Sequence, residues 1–455
     1  MLHGPILPTL LRMAWPNLLM MLAQSSTGLV ETWYLSRLGT DALAGAALVT
    51  PLLMLMQNMS QGAMGGGISA AVARALGGGR NDDADRLVMH ALVLNGGLGL
   101  LFSVVLLGFG APLYRAMASD QGAGAVTAAL AYSNVVFAGL VLMWTMNALA
   151  SVVRGTGNML VPGMVICGGA LLLVPLSPCL IFGLGPFPRL GMAGAGWAML
   201  AYYATGTLVL GWYVLSGRNA ARLVRVPLQR EPMQRILTVG GLATINPLLT
   251  NALIASTTAL VGAYAGTAAL AGYGTAARLE YLVIPVAFGI GAPLVALVAA
   301  NIGAGQPQRA LRIALAGGAL AFGVAETIGL AAAIWPEEWL RLFGAQGQML
   351  AAGRDYLRTV GPAYGFFGMG LALYFASQGA GRLGWSLFAG AVRLLVAAGA
   401  GAALLHATGS LAWFYAVLAF AMVLYGAITL AAVASGRWFA AGPHRPSSAS
   451  LKVTS

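Results

Sequence analysis

The sequence predicts an all-α polytopic membrane protein: twelve transmembrane helices in two six-helix bundles related by an internal repeat. Three observations carry this reading. Only 8% of the 455 residues are charged and 59% are hydrophobic, against roughly 25% charged in soluble domains, so polar surface is too scarce to cover a globule. Twelve apolar runs, each long enough for the roughly 20 residues that a spanning helix needs, follow one another along the chain. Three stretches also recur in order. GTDALAG at 39–45 lies over GTAALAG at 266–272, ARALGGGRNDDA at 73–84 over AANIGAGQPQRA at 299–310, and RGTGN at 154–158 over QGAGR at 378–382, at offsets of 227, 226 and 224. Their order and near-constant spacing mark a duplicated chain. The copies differ at one acid, because Glu31 falls opposite neutral Thr258.

The spans fall near 8–36, 42–74, 85–112, 123–152, 159–183, 191–216, 233–264, 267–301, 309–335, 347–377, 384–407 and 410–435. Several exceed 25 residues, so tilt or kinks are expected. Their seams are glycine and proline turn chemistry: GGGRNDD, RGTGN, GPFPRLG and GAGQPQ. The alternation of a membrane β-barrel is absent. The first run is too long for a cleavable signal and has no cleavage site, so it is read as the first span.

Charge sets the orientation. With the N-terminus placed inside, sixteen basic residues fall in inner segments, among them Arg74, Arg80, Arg154 and Arg235, and four in outer ones: Arg37, Arg115, Arg189 and Arg341. This positive-inside bias places both termini in the cytoplasm and the protein in the cytoplasmic (inner) membrane. The net charge of +12 then faces anionic lipid, and no nucleic-acid partner is expected. Residues 1–217 form the N-terminal bundle, 218–232 a cytoplasmic connector, 233–436 the C-terminal bundle and 437–455 a polar, disordered tail. Six spans per half leave both halves in the same orientation, so the repeat axis runs along the membrane normal, with a substrate path between the halves.

Six pieces in order over residues 8–435 resemble the multidrug and toxic compound extrusion (MATE) family. They are Pro16 fifteen positions before Glu31, LSRLGTDALAG at 35–45, LGGGRNDDA at 76–84, RGTGN at 154–158, PCLIFGLGPFPRLGMAGAGWA at 178–198 and NIGAGQPQRAL at 301–311. The resemblance implies two six-helix bundles around a central cleft, and exchange of cationic or amphipathic organic compounds for protons or sodium. It also implies that Glu31, where the family usually has Asp, is the proton or cation carboxylate of the first span.

Of twelve acidic residues, Glu31, Glu280 and Glu326 lie inside apolar runs, where an ionisable group is costly and usually lines a cavity or ion path. All three are candidate coupling residues. One branch of the family has Asn and Asp in span five where this chain has Leu173 and Ser177, so Glu31 lacks its usual partners; Asn147, Tyr132, Asn134 and Ser177 are the polar groups left to hydrogen-bond to it. A lone carboxyl suits a proton carrier, whereas sodium asks for several hard oxygen ligands. Another branch has an acid in span seven, where this chain reads NALIASTTAL at 251–260. In the second half Arg278 and Glu280, two residues apart, point to different helix faces. Glu280 and Arg393 both fall near mid-membrane and can pair, as a functional site or as a structural lock. Arg278 and Arg393 join Asn147 and Ser177 as supporting polar residues. Pro16 removes a backbone hydrogen bond inside span one and is a candidate hinge. Met54, Met56, Met59 and Met64, with Gln57, Asn58 and Gln61, give span two soft, adaptable lining. GAMGGG at 62–67 permits close helix approach.

No enzyme is expected. Four His at 3, 90, 406 and 444 are too scattered for a metal site, the glycine runs lack the Lys-Ser/Thr of a phosphate loop, and Cys167 and Cys179 share one apolar run; no metal or cofactor is expected. The leading reading is a monomeric antiporter exporting organic compounds against protons. Its alternatives are sodium coupling, a lipid-linked oligosaccharide flippase of the same superfamily, and a channel or non-transporting receptor. Only two Arg embedded in the spans, Arg278 and Arg393, argue against the flippase. The topology is testable in a chain lacking Cys167 and Cys179. A cysteine at Gly185 should react with an impermeant thiol reagent in intact cells and one at Ser448 should not; the reverse pattern overturns the orientation.

Overall fold

The computed structural model describes residues 1–117 and 122–436; the tail from 437 on, read above as disordered, lies outside them. Every regular element among the described residues is helical, as it must be where backbone amides have no water to bond. The first half comprises α1 (Ile6–Ser36), α2 (Thr40–Gly77), α3 (Asn81–Met117), α5 (Leu160–Phe182) and α6 (Met192–Leu215). Its α4 is a bent span, Ala123–Ala138 and Leu140–Gly155 meeting at 49° across Gly139. In the second half, one continuous path from Arg230 to Gly303 is broken at Gly266, where φ is +73°. It therefore supplies two spans, α7 (230–265) and α8 (267–303). Next come α9 (Pro307–Ile334), α10 (347–380, broken by a 3₁₀ turn at Gly361–Ala363), α11 (Gly384–Thr408) and α12 (Leu411–Ala434). Nine described helices satisfy length and composition by themselves; the bent α4, the break at Gly266 and the interrupted α10 bring the path to twelve crossings.

The internal repeat is visible in the backbone. Gly39 and Gly266, Gly79 and Gly305, and Gly157 and Gly381 all take positive φ, a conformation that costs a residue with a Cβ far more than glycine. These are the glycines that the three sequence matches place opposite one another, so each half turns its chain at the same points. The core falls into two clusters that follow the halves except near the seam, where Leu10, Met13 and Ala70 join the second-half cluster and Ile236 the first. One buried cluster joins α2 to α6 through Val49, Ile68, Trp144 and Tyr203, and the other joins α8 to α12 through Leu294, Tyr364 and Phe414. Leu29, Leu171 and Leu208 stay more than 70% exposed, as lipid-facing side chains do.

The halves meet at the end of the molecule where Met1 and Gly436 lie. A Cβ on Gly77 would overlap the Ala300 carbonyl, and one on Gly303 the Arg74 carbonyl, so α2 and α8 touch backbone to backbone. Arg74 donates to the Gly379 carbonyl at 2.9 Å, Arg309 to the Gly4 carbonyl, and Arg235 pairs with Asp83 at 3.6 Å. Deeper in, the Asn17 amide donates to the carbonyls of Phe288 (3.1 Å) and Gly289 (3.3 Å). The segment between α6 and α7 lies over this face, with the Arg222 amide on Asp85 at 2.7 Å and the Gln229 amide on His90 at 2.8 Å. Helix resumes at Arg230. Gly77→Val should wedge this seam apart: spin labels at positions 82 and 234, which flank the Asp83–Arg235 pair, should report a longer distance than in the parent protein.

Candidate functional site

Between the halves lies a cavity of about 90 Å³, room for a few water-sized groups in this conformation. Its wall is largely apolar and aromatic, with Phe288, Phe367, Phe375 and Tyr425, and carries amides at Asn58, Asn246 and Asn251. A second, narrower cavity of about 20 Å³ shares Gly62, Phe288 and Phe375 with it and extends toward the closed seam, past Asn17, Gln61, Ser69 and Arg154. Phe288 and Phe375 meet edge to face at 4.7 Å and form the wall common to both. α2 reaches this region through a π-helical stretch, Asn58–Met64, and such wide turns often mark functional positions. That stretch puts Asn58 on one cavity and Gln61 on the other, while Met56 and Met64 are buried and Met54 is 62% exposed. The methionine lining expected of span two is therefore replaced by amides and phenylalanines.

Glu31 is 8% exposed, five residues before the C-terminal end of α1 and so away from the seam. Among the described residues its Oε1 has no hydrogen-bond partner. Tyr132 of α4 and Tyr203 of α6, both buried, are close enough to feel its charge. Asn147 and Ser177 do not join it. Asn147 lies eight residues from the opposite end of the membrane path, midway along the Leu140–Gly155 piece of α4, and donates to the Ser60 hydroxyl at 2.5 Å. Ser177 is buried in α5 with its hydroxyl unpartnered, and Asn134 is exposed. Depth separates the amide that the sequence reading placed beside Glu31 from the carboxyl itself. Pro16 is buried inside α1, which runs helical through it, with its carbonyl facing Gly163 of α5.

The second half brings Glu280 and Arg393 together at 2.7 Å. The Tyr356 hydroxyl donates to the other carboxylate oxygen at 3.3 Å, and the guanidinium also lies 4.4 Å from the Phe367 ring centre. Arg393 stands between the central cavity and a smaller pocket lined by Thr257, Tyr273 and Glu280. Arg278 takes no part; it is exposed and sits over the Phe343 ring. Glu326 accepts the Gly365 amide at 2.8 Å, one of the orphan donors at the start of the second helical piece of α10. The break in α10 thus supplies the partner that the sequence reading did not find.

Two residues escaped the sequence reading. Asn17, one position past Pro16, links the halves. Arg154 was counted with the inner-loop charges, but it occupies the last turn of α4 and is only 4% exposed. The mark of Arg154 in the sequence was its place before the Gly-Thr-Gly turn, which reads equally well as a loop.

Two six-span bundles around an aromatic cleft, closed at one end by a glycine seam and carrying an isolated carboxyl in one half, define a multi-pass membrane transporter. The MatE family model matches residues 16–179 and 243–401, one stretch in each half, and the chain belongs to that family. Among curated relatives, the FAD transporter of Shewanella oneidensis is 29% identical over 83% of this chain and 82% of its own length. The probable multidrug resistance protein NorM of Thermotoga maritima is 24% identical over 82% and 80%. A solved outward-facing multidrug resistance MATE transporter superposes with a TM-score of 0.84 at 22% identity, covering 94% of each chain.

Removing one partner of a buried ion pair strands the other, at a cost of roughly 3–5 kcal/mol. Glu280→Gln and Arg393→Gln should each lower the yield and melting temperature of the purified protein, and the double variant should recover part of the loss. A fully stable Glu280→Gln protein that binds cargo and no longer releases it on acidification would make Glu280 a coupling residue instead.

Proposed function

We propose that this protein is a monomeric secondary antiporter of the bacterial inner membrane, with both termini cytoplasmic, exporting amphipathic organic compounds in exchange for protons by alternating access. The observation that carries the coupling is Glu31, a buried carboxyl with no cationic partner beside it, present in one half only. A carboxyl in such surroundings changes charge when it takes up or releases a proton and has little else to neutralise it. Sodium would need several oxygen ligands, and the groups near Glu31 are two tyrosines. Glu280 is held by Arg393 and Glu326 by a helix start, so we assign them structural roles and leave coupling to Glu31.

Amphipathic rather than cationic cargo is favoured by the wall of the cleft, where rings and amides abound and no carboxylate lines either cavity. The names of the relatives point to multidrug and FAD transport, so the test compounds are cationic dyes together with FAD. In proteoliposomes, an imposed pH gradient should drive export and an equal sodium gradient should not. Glu31→Gln should abolish proton-driven export while leaving a folded protein that still binds cargo. Parental rates from Glu31→Gln vesicles, or export driven by sodium alone, would remove the proposal.

A further inference from the structure

We propose that Arg154 is the contact for an anionic group, a carboxylate or a phosphate, on the aromatic compound that this protein exports. The proposal rests on the antiporter reading and names the class of its cargo. Arg154 is only 4% exposed and forms part of the wall of the second cavity. Within the protein, Nη2 reaches only the Met20 sulfur at 3.4 Å, and Nε has no partner. Among the described residues no carboxylate is within ion-pair distance of it. The carbonyl end of α4 supplies at most about half a compensating charge.

The charge around the cleft points the same way. Arg393 also faces the central cavity, but Glu280 answers it at 2.7 Å. Neither cavity has an acidic side chain in its wall. The uncompensated charge of the cleft is therefore positive and concentrated at Arg154, where low dielectric strengthens its attraction for an anion.

The repeat shows that the fold does not require a cation here. The position equivalent to Arg154 in the second half is Gln378, fully buried. Its Nε2 donates to the Tyr374 hydroxyl at 2.8 Å and the Gly62 carbonyl at 3.4 Å, while its Oε1 has no partner among the described residues. A neutral side chain serves the same turn, so packing alone does not account for an arginine. The planar fork of a guanidinium binds carboxylate or phosphate through two parallel hydrogen bonds. Phe288 and Phe375, common to the walls of both cavities, offer a ring a surface on the same path as Arg154, and the cleft must widen to admit it.

The test uses full-length protein in detergent and four probes with one ring: pyrenebutyrate, pyrenebutyl phosphate, neutral pyrenebutanol and pyrenebutyl trimethylammonium. Binding is read by fluorescence. The parent protein should bind both anions roughly 10- to 100-fold more tightly than the trimethylammonium probe, as expected for charge-assisted hydrogen bonds. Arg154→Gln should erase that preference and leave pyrenebutanol affinity unchanged, and Arg154→Lys should retain only part of it. A parental preference for the cation, or an equal loss for all four probes in either variant, overturns the proposal. Should Arg154→Gln fail to fold, the parental preference and the lysine variant decide alone. Adding phosphatidylglycerol to the micelles separates two sources of the anion: competition assigns the site to a lipid headgroup, and its absence to a soluble compound. Transport is scored separately. Anion-selective binding without proton-driven export defeats the antiporter reading and leaves the site standing, whereas export without anion preference does the opposite.

Discussion

A charge inside this protein must be answered by the protein or by what the protein binds, because water is largely excluded and the surroundings are hydrocarbon. That constraint sorts the embedded ionisable groups. Arg393 is answered by Glu280, with Tyr356 and the Phe367 ring completing its shell. Glu326 is answered by a backbone amide. Glu31 and Arg154 are not answered, and they are of opposite sign and far apart along the membrane path. One is suited to a small cation that comes and goes, the other to the head of an anion. The groups without partners are the ones to which we assign function.

The closed seam depends on a different economy. Backbone-to-backbone contact at Gly77 and Gly303 needs no side-chain ordering, so the halves approach without immobilising long rotamers. Polar links are few and local, from Arg74, Arg309, Asn17 and the Asp83–Arg235 pair. Surface ion pairs of the last kind contribute little. A closure built this way can open and reform at modest cost, which alternating access requires.

Much of this architecture was legible in the residues. The duplication was readable because glycines that must take positive φ cannot drift: Gly39, Gly79 and Gly157 kept their counterparts. The spans were readable because lipid imposes length and apolarity on each one. Glu31 stood out as an acid inside an apolar run. Arg154 did not, since one-dimensional hydropathy cannot tell a charge at the foot of a helix that points inward from one that points to the surface. Likewise the partner of Glu326 depends on a 3₁₀ break in a different span, and Asn147 was assigned to Glu31 without knowledge of depth. Pairings across helices are set by packing, which the linear order does not encode.

Duplication has left this chain mechanically symmetric and chemically lopsided. Each half turns at the same glycines, yet the first holds Glu31 and Arg154 where the second has Thr258 and Gln378, and the second holds the Glu280–Arg393 pair, which we read as a lock. The two halves are therefore exposed to different kinds of selection. Substitutions around the lock would register in a cell as fewer molecules reaching the membrane, and those around the unpaired charges as the same number of molecules each doing less.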